Sequence, residues 1–134
     1  MPNPTQEDLK KVIRNEPDLS TFGLVWLWQR KKPADRKRFL RDRRALSGEL
    51  QMFRLCCKWL SLCGSRKTIN MNIGSSYALK HEVERWSGEY ITNGAFVAAV
   101  IHLGIPFKRY SGSPNIAVAL SSRLPSGSSR LEAK

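Results

Sequence analysis

Acidic side chains are scarce. Eleven Asp and Glu stand against 23 Lys and Arg, which leaves the 134-residue chain at +12. That balance argues against a basic partner and for a polyanion, with nucleic acid first and an anionic membrane surface second. Cysteine is also scarce. Cys56, Cys57 and Cys63 are odd in number, two are adjacent, and no CxxC pair occurs. Neither a disulfide framework nor a zinc site is expected, and the three read as small buried hydrophobes. The two histidines, His81 and His102, lack ligand-spaced partners. No metal or other cofactor is expected. No apolar run approaches the roughly 20 residues that span a bilayer. The start, MPNPTQEDLKK, has neither the basic region nor the apolar core of a signal peptide. The expected location is the cytoplasm. Paired acids and a glycine-rich phosphate loop are missing as well. Ser76 and Lys80 lie four apart, and a lysine can activate a serine, but no oxyanion motif or third group accompanies them. An enzyme is not expected, nor a small-molecule substrate.

What is present is a core-forming apolar content of 41% and a strongly uneven charge. In the helical part, 5–63, Thr5 and Asp8 suit a variant capping box ahead of Leu9, Val12 and Ile13. Pro17 breaks that helix. Ser20 to Gln29 is nearly continuous in apolar residues and is expected to be helical and buried. Arg30 to Arg44 holds nine Lys or Arg against two Asp, +7 in 15 residues. Pro33 suits the first turn of a helix there. Phe39 and Leu40 would face inward, while Lys37, Arg41 and Arg44 share one face and Arg38 borders it. Solvation alone favours mixed signs, so a one-sided arginine-rich helix suits phosphates. Ser47 is expected to cap the next helix. Its stripe of Leu50, Phe53, Cys57 and Leu60, widened by Trp59, marks a buried central element.

The second part, 68–123, opens on a short strand expected at Thr68–Asn72. Leu79, Val83 and Trp86 then fall on one helical stripe after Ser75 or Ser76, and Gly88 ends it. Thr92 or Asn93 suits the cap of a second helix running to Leu103, with Gly104 closing it. Strand-like runs flank the turn signal Ser111-Gly112-Ser113-Pro114. The expected fold class is α+β, mostly helical. An N-terminal helical part packs on a helix-turn-helix plus β-hairpin, a winged-helix-like unit, and both make one folded unit. A recognition helix would lie in the major groove. Ala95–Ile101 leaves it almost no polar face, as a buried helix would, so the alternative is a small α+β unit with this helix at its centre and the hairpin covering it. The segment 124–134 is expected to be a disordered tail.

The run Ser75-Ser76-Tyr77-Ala78-Leu79-Lys80-His81, followed by Gly88-Glu89-Tyr90-Ile91-Thr92-Asn93-Gly94-Ala95-Phe96, resembles a segment of small bacterial plasmid and phage proteins. In outline it is SSYxLKHxxE, then GxYxxNGAFxAA. It covers about a third of the chain and implies a mobile-element accessory protein, with no catalytic residues to carry over.

The candidate nucleic-acid-binding residues are therefore Arg36, Lys37, Arg38, Arg41 and Arg44 on the basic helix. A second patch of Ser76, Lys80 and His81, extended by Lys108 and Arg109 as a wing, would grip a phosphate at a helix start. The expected partner is double-stranded DNA, with RNA as a second polyanion. The function would be replication, mobilisation or repression. A module or inhibitor that docks on an acidic protein is the alternative. A homo-oligomer is compatible with all of this, and a membrane surface ranks third.

Overall fold

The computed structural model describes residues 3–125. Helix α1 (Gln6–Asn15) starts with the expected reciprocal cap. Thr5 Oγ1 accepts from the Asp8 amide at 3.1 Å, and Asp8 Oδ2 accepts from the Thr5 amide at 2.8 Å. Leu9 and Val12 are buried.

The apolar run that follows is not a helix. Strands β1 (Leu19–Ser20) and β2 (Gly23–Leu24) form a small antiparallel hairpin, and Leu27–Arg30 is a single 3₁₀ turn. Two facts explain the correction. Gly23 holds φ at +114°, where a helix cannot continue and where a Cβ would lie 2.3 Å from the Pro114 carbonyl oxygen. The run also has no single buried face. Leu19 and Leu24 point inward, while Phe22, Leu27 and Trp28 stand well exposed.

Helix α2 (Pro33–Leu46) carries Pro33 in its first turn, as expected. It buries Phe39 and Leu46 but leaves Leu40 about half exposed at 48%, so only one of the two expected neighbours is inward. Ser47 belongs to the end of α2 rather than to the next cap. Its hydroxyl donates to the Arg44 carbonyl at 2.6 Å. Helix α3 (Leu50–Leu62) begins after Glu49.

Helix α4 (Ser76–Ser87) ends where Gly88 turns left-handed at φ +77°. Helix α5 (Asn93–His102) starts from Thr92, whose hydroxyl accepts from the Ala95 amide at 3.0 Å. Strands β3 (Phe107–Arg109) and β4 (Ile116–Val118) pair antiparallel, with Lys108 opposite Ala117. The expected strand at Thr68–Asn72 is not a third member of this sheet. Asn70 instead donates its amide to the Val118 carbonyl at 3.0 Å and its Nδ2 to the Leu120 carbonyl at 2.9 Å. Met71–Ile73 then turns as a 3₁₀ segment. Most of the expected tail, from residue 126, lies outside the described residues.

The result is an α+β chain dominated by helices, with two small hairpins. Its centre is α5. All residues from Asn93 to Val100 are buried. Helices α1, α3 and α4 and both strands of the first hairpin pack around it. Trp59 of α3 meets Phe96 edge to face, with ring centroids 6.1 Å apart and both side chains inaccessible to solvent. The start of α5 touches the first hairpin backbone to backbone. The Gly94 amide donates to the Thr21 carbonyl at 2.9 Å, and a Cβ on Gly94 would lie 1.9 Å from the Ser20 carbonyl oxygen. The helix is thus the covered one of the two arrangements open to it, and it presents no face to a groove.

Trp59→Ala and Phe96→Ala should each cost about 3–5 kcal/mol, because a buried aromatic ring is lost and a cavity remains. Urea midpoints measure this. An undetectable shift for either would contradict the central position of the pair.

Candidate nucleic-acid interface

The basic helix presents the cations that the sequence places there. Arg36, Lys37, Arg38, Arg41 and Arg44 are all exposed along α2, preceded by exposed Lys31 and Lys32. Their ion pairing is thin. Arg38 lies 3.8 Å from Asp35, and Arg41 Nε lies 3.4 Å from Asp42. Arg36, Lys37 and Arg44 make no ion pair among the described residues. Solvated pairs of this kind are worth little, so the face retains its positive field.

Two arginines of the same basic run do other work. Arg43 turns inward. Its guanidinium donates to the carbonyls of Glu16 at 2.8 Å and Leu19 at 3.0 Å, and also to that of Ile13. It therefore satisfies the orphan end of α1 and anchors α2 to it. Arg30 pairs with Asp18 at 2.5 Å and lies over the Phe39 ring, 4.1 Å from its centroid.

Arg109 is a correction. It was expected to reach outward with Lys108 as a wing, but it belongs to the Asp18 clamp. Its guanidinium pairs with the other Asp18 oxygen at 2.7 Å, donates to the Leu24 carbonyl at 2.9 Å and stacks 3.9 Å above the Trp26 ring. The Trp26 indole N–H in turn donates to the Tyr110 and Ser113 carbonyls. One carboxylate thus ties the chain after α1, the 3₁₀ turn and the second hairpin together. Burial pushes the Asp18 carboxyl up, but hydrogen bonds and charge from Arg109 and Arg30 outweigh it and hold the carboxyl below its usual range. Lys108 alone remains exposed on β3.

The expected phosphate site at the start of α4 is also reorganised. Ser76 is fully buried, and its hydroxyl accepts the Ile116 amide at 3.0 Å, so it anchors the hairpin rather than facing a ligand. Lys80 is only 6% exposed. Its ammonium pairs with Glu84 at 3.3 Å and lies 5.1 and 5.2 Å from the ring centroids of Tyr77 and Tyr90. His81 is half-buried, with Nδ1 2.7 Å from the second Glu84 oxygen. Glu84 also accepts the Ile91 amide at 3.0 Å. Burial raises its carboxyl pKa, but the Ile91, His81 and Lys80 hydrogen bonds prevail and lower it. Lys80 and His81 therefore do come together, but in the wall of a cleft of about 610 Å³ instead of on an open surface. Phe22, Tyr90 and Asn93 line the same cleft. Residue type gave only a faint signal for Phe22 and Tyr90, single aromatics beside glycine turns in Thr21-Phe22-Gly23 and Gly88-Glu89-Tyr90, and Asn93 read as a candidate helix cap.

The three thiols are weak nucleophiles where they stand, two of them buried and Cys63 partly exposed. Burial pushes Cys57 and Cys63 up to about 12 and Cys56 well above its ordinary value. The described residues contain no group of three or more potential metal ligands. No described helix is long and apolar enough to cross a membrane. Compared with protein-family models, curated proteins and solved structures, the chain matches none.

Because the folded Asp18 carboxyl titrates below its ordinary value of 3.8, the clamp contributes fully above that pH. Its contribution fades as pH falls through the lower, folded value. Asp18→Asn should cost about 1.5–3 kcal/mol at neutral pH, the range for hydrogen bonds to a charged group. It should also flatten the loss of stability on acidification. Urea midpoints of both proteins from pH 7 to pH 3 measure this, and parallel pH profiles would rule Asp18 out as an acid-sensitive contact.

Proposed function

We propose that this protein is a nucleic-acid-binding accessory protein of a bacterial mobile element. It acts in the cytoplasm and holds duplex DNA mainly through its phosphates. One observation carries the reading: five arginines and lysines, Arg36, Lys37, Arg38, Arg41 and Arg44, line the exposed face of α2 with few acidic neighbours. Arginine grips phosphate in a planar, two-pronged geometry that no solvation requirement explains. Structural cations are accounted for elsewhere, since Arg30, Arg43 and Arg109 are each bound to backbone carbonyls or to Asp18.

The winged-helix-like order of α4, α5 and the β3–β4 hairpin then serves as a frame. Helix α5 is covered on all sides, so the contact falls to α2, with Lys108 as an outlying charge on the hairpin. Contacts made by side chains on a helix surface to phosphates carry little sequence information. Modest sequence preference is therefore the expectation. The segment resembling plasmid and phage proteins lies in α4 and α5, which form that frame.

Binding to random-sequence duplex DNA should weaken steeply with salt, as counterions released from neutralised phosphates are paid back. Lys37→Gln, Arg41→Gln and Arg44→Gln combined should weaken binding to every duplex about equally. They should also flatten the slope of log K against log salt by up to roughly 3, near one per lost contact. Binding that does not change with salt, or no binding at low salt, would overturn the reading. Retention on an acidic protein but not on DNA would favour the docking alternative.

A further inference from the structure

The cleft beside α4 has a composition that no packing requirement explains. Three aromatic rings reach it from three elements: Phe22 from the first hairpin turn, Tyr77 from α4, and Tyr90 from the loop before α5. All three are largely exposed, at 59%, 54% and 67%. Burial of apolar surface would have turned such rings inward. On α4 itself sits Lys80, a cation more than nine-tenths buried whose ammonium has one hydrogen-bond partner among the described residues, Glu84, for its three donors. Glu84 itself is fully engaged, by Lys80, His81 and the Ile91 amide. Its negative charge is therefore answered within the wall. Asn93 is buried as well. Its Nδ2 donates to the Phe22 carbonyl at 2.7 Å and to Asn115 Oδ1 at 3.0 Å, while its Oδ1 has no hydrogen-bond partner among the described residues.

The cleft thus offers flat aromatic faces and an ammonium with donors left unfilled among the described residues. We propose that it receives an unstacked nucleobase together with its phosphate. The base stacks on the exposed rings and the phosphate meets Lys80. Aromatic stacking of this kind is the usual way a protein holds an unpaired base. At about 610 Å³ the cleft falls within the ordinary size range of ligand sites, about 300–1,000 Å³.

The source of the base follows from Phe22. The same side chain also lines a groove formed with Asp35, Arg38, Phe39 and Asp42 of α2. Phe22 therefore stands between the basic helix and the cleft. The favoured ligand is therefore an unpaired nucleotide at the edge of a duplex held by α2. This extension rests on the DNA-binding reading of α2, whereas the cleft chemistry by itself also admits a free mononucleotide.

Titration of the full chain with dAMP, inorganic phosphate, a blunt duplex and the same duplex with a short single-stranded tail separates these possibilities. Calorimetry gives affinity, and NMR shifts of the tyrosine ring protons give location. The tailed duplex should bind more tightly than the blunt one, and dAMP should shift Tyr77 and Tyr90. Tyr90→Ala removes a largely exposed ring. It should reduce dAMP binding and the tail advantage by roughly 5- to 150-fold, the value of one stacked base, while leaving blunt-duplex affinity unchanged. Phe22→Ala should act in the same direction, and Lys80→Gln should weaken dAMP more than the corresponding nucleoside. Tail-independent binding with no tyrosine shift would overturn the cleft proposal and leave duplex binding by α2 intact. Inorganic phosphate competing as well as dAMP would also overturn it. Tyr90-sensitive dAMP binding without any duplex binding would keep the cleft and remove the α2 reading.

Discussion

A helix without a polar face has to be surrounded, and α5 imposes that requirement on everything else in the chain. From Asn93 to Val100 every residue is buried. Three helices and a hairpin must therefore find places around it, and each does so by a different device. Helix α3 interdigitates aromatic rings, Trp59 against Phe96. The first hairpin comes close enough for a backbone hydrogen bond because position 94 is glycine. Helix α4 and the hairpin β3–β4 are fastened by the buried Ser76 hydroxyl on the Ile116 amide. Thr92 both caps α5 and donates to Glu49 at 2.6 Å, so the cap of one helix is fixed to the residue ahead of another.

Once α5 is enclosed, the periphery is held by charge. Asp18 accepts two guanidinium groups from remote parts of the chain, and Arg43 gathers carbonyls from the end of α1 and the start of β1. These contacts replace the long sheet that a chain with two- and three-residue strands lacks. They also divide the basic residues into two populations. Arg30, Arg43 and Arg109 are partly withdrawn from water and chemically spoken for, whereas the cations on the outer face of α2 keep their field. A net charge of +12 therefore overstates what is free for a partner, and α2 with the residues just before it carries the densest run of exposed cations.

The local rules were readable in advance. The Thr5–Asp8 box, the Pro33 start, the Gly88 stop and the Thr92 cap each depend on neighbours within a few residues, and each is present. The misreadings share a cause. Ser20–Gln29 looks helical because it is apolar, but its residues divide between a hairpin interior and exposed positions, and that division is set by contacts with Pro114 and α5. Ser47 and Ser76 have the chemistry of caps, and both spend their hydroxyls elsewhere. Leu40 looks inward on a helical wheel but lies at the exposed margin of α2.

Sequence by itself determined the helical segments, the hairpin around Ser111–Pro114, the excess of positive charge and its concentration in one run. Periodicity, capping chemistry and charge are properties of short stretches, and they survive without knowledge of the rest. Only the tertiary structure decided that α5 is the enclosed element, that Arg109 and Arg43 are fasteners while Lys37 and Arg41 are not, and that Phe22, Tyr77 and Tyr90 meet around Lys80. Those outcomes depend on pairs such as Asp18 and Arg109, 91 positions apart, or Phe22 and Asn93, 71 apart. No local pattern encodes which distant group will arrive to satisfy a buried charge, and that arrival is what separates a structural arginine from a free one.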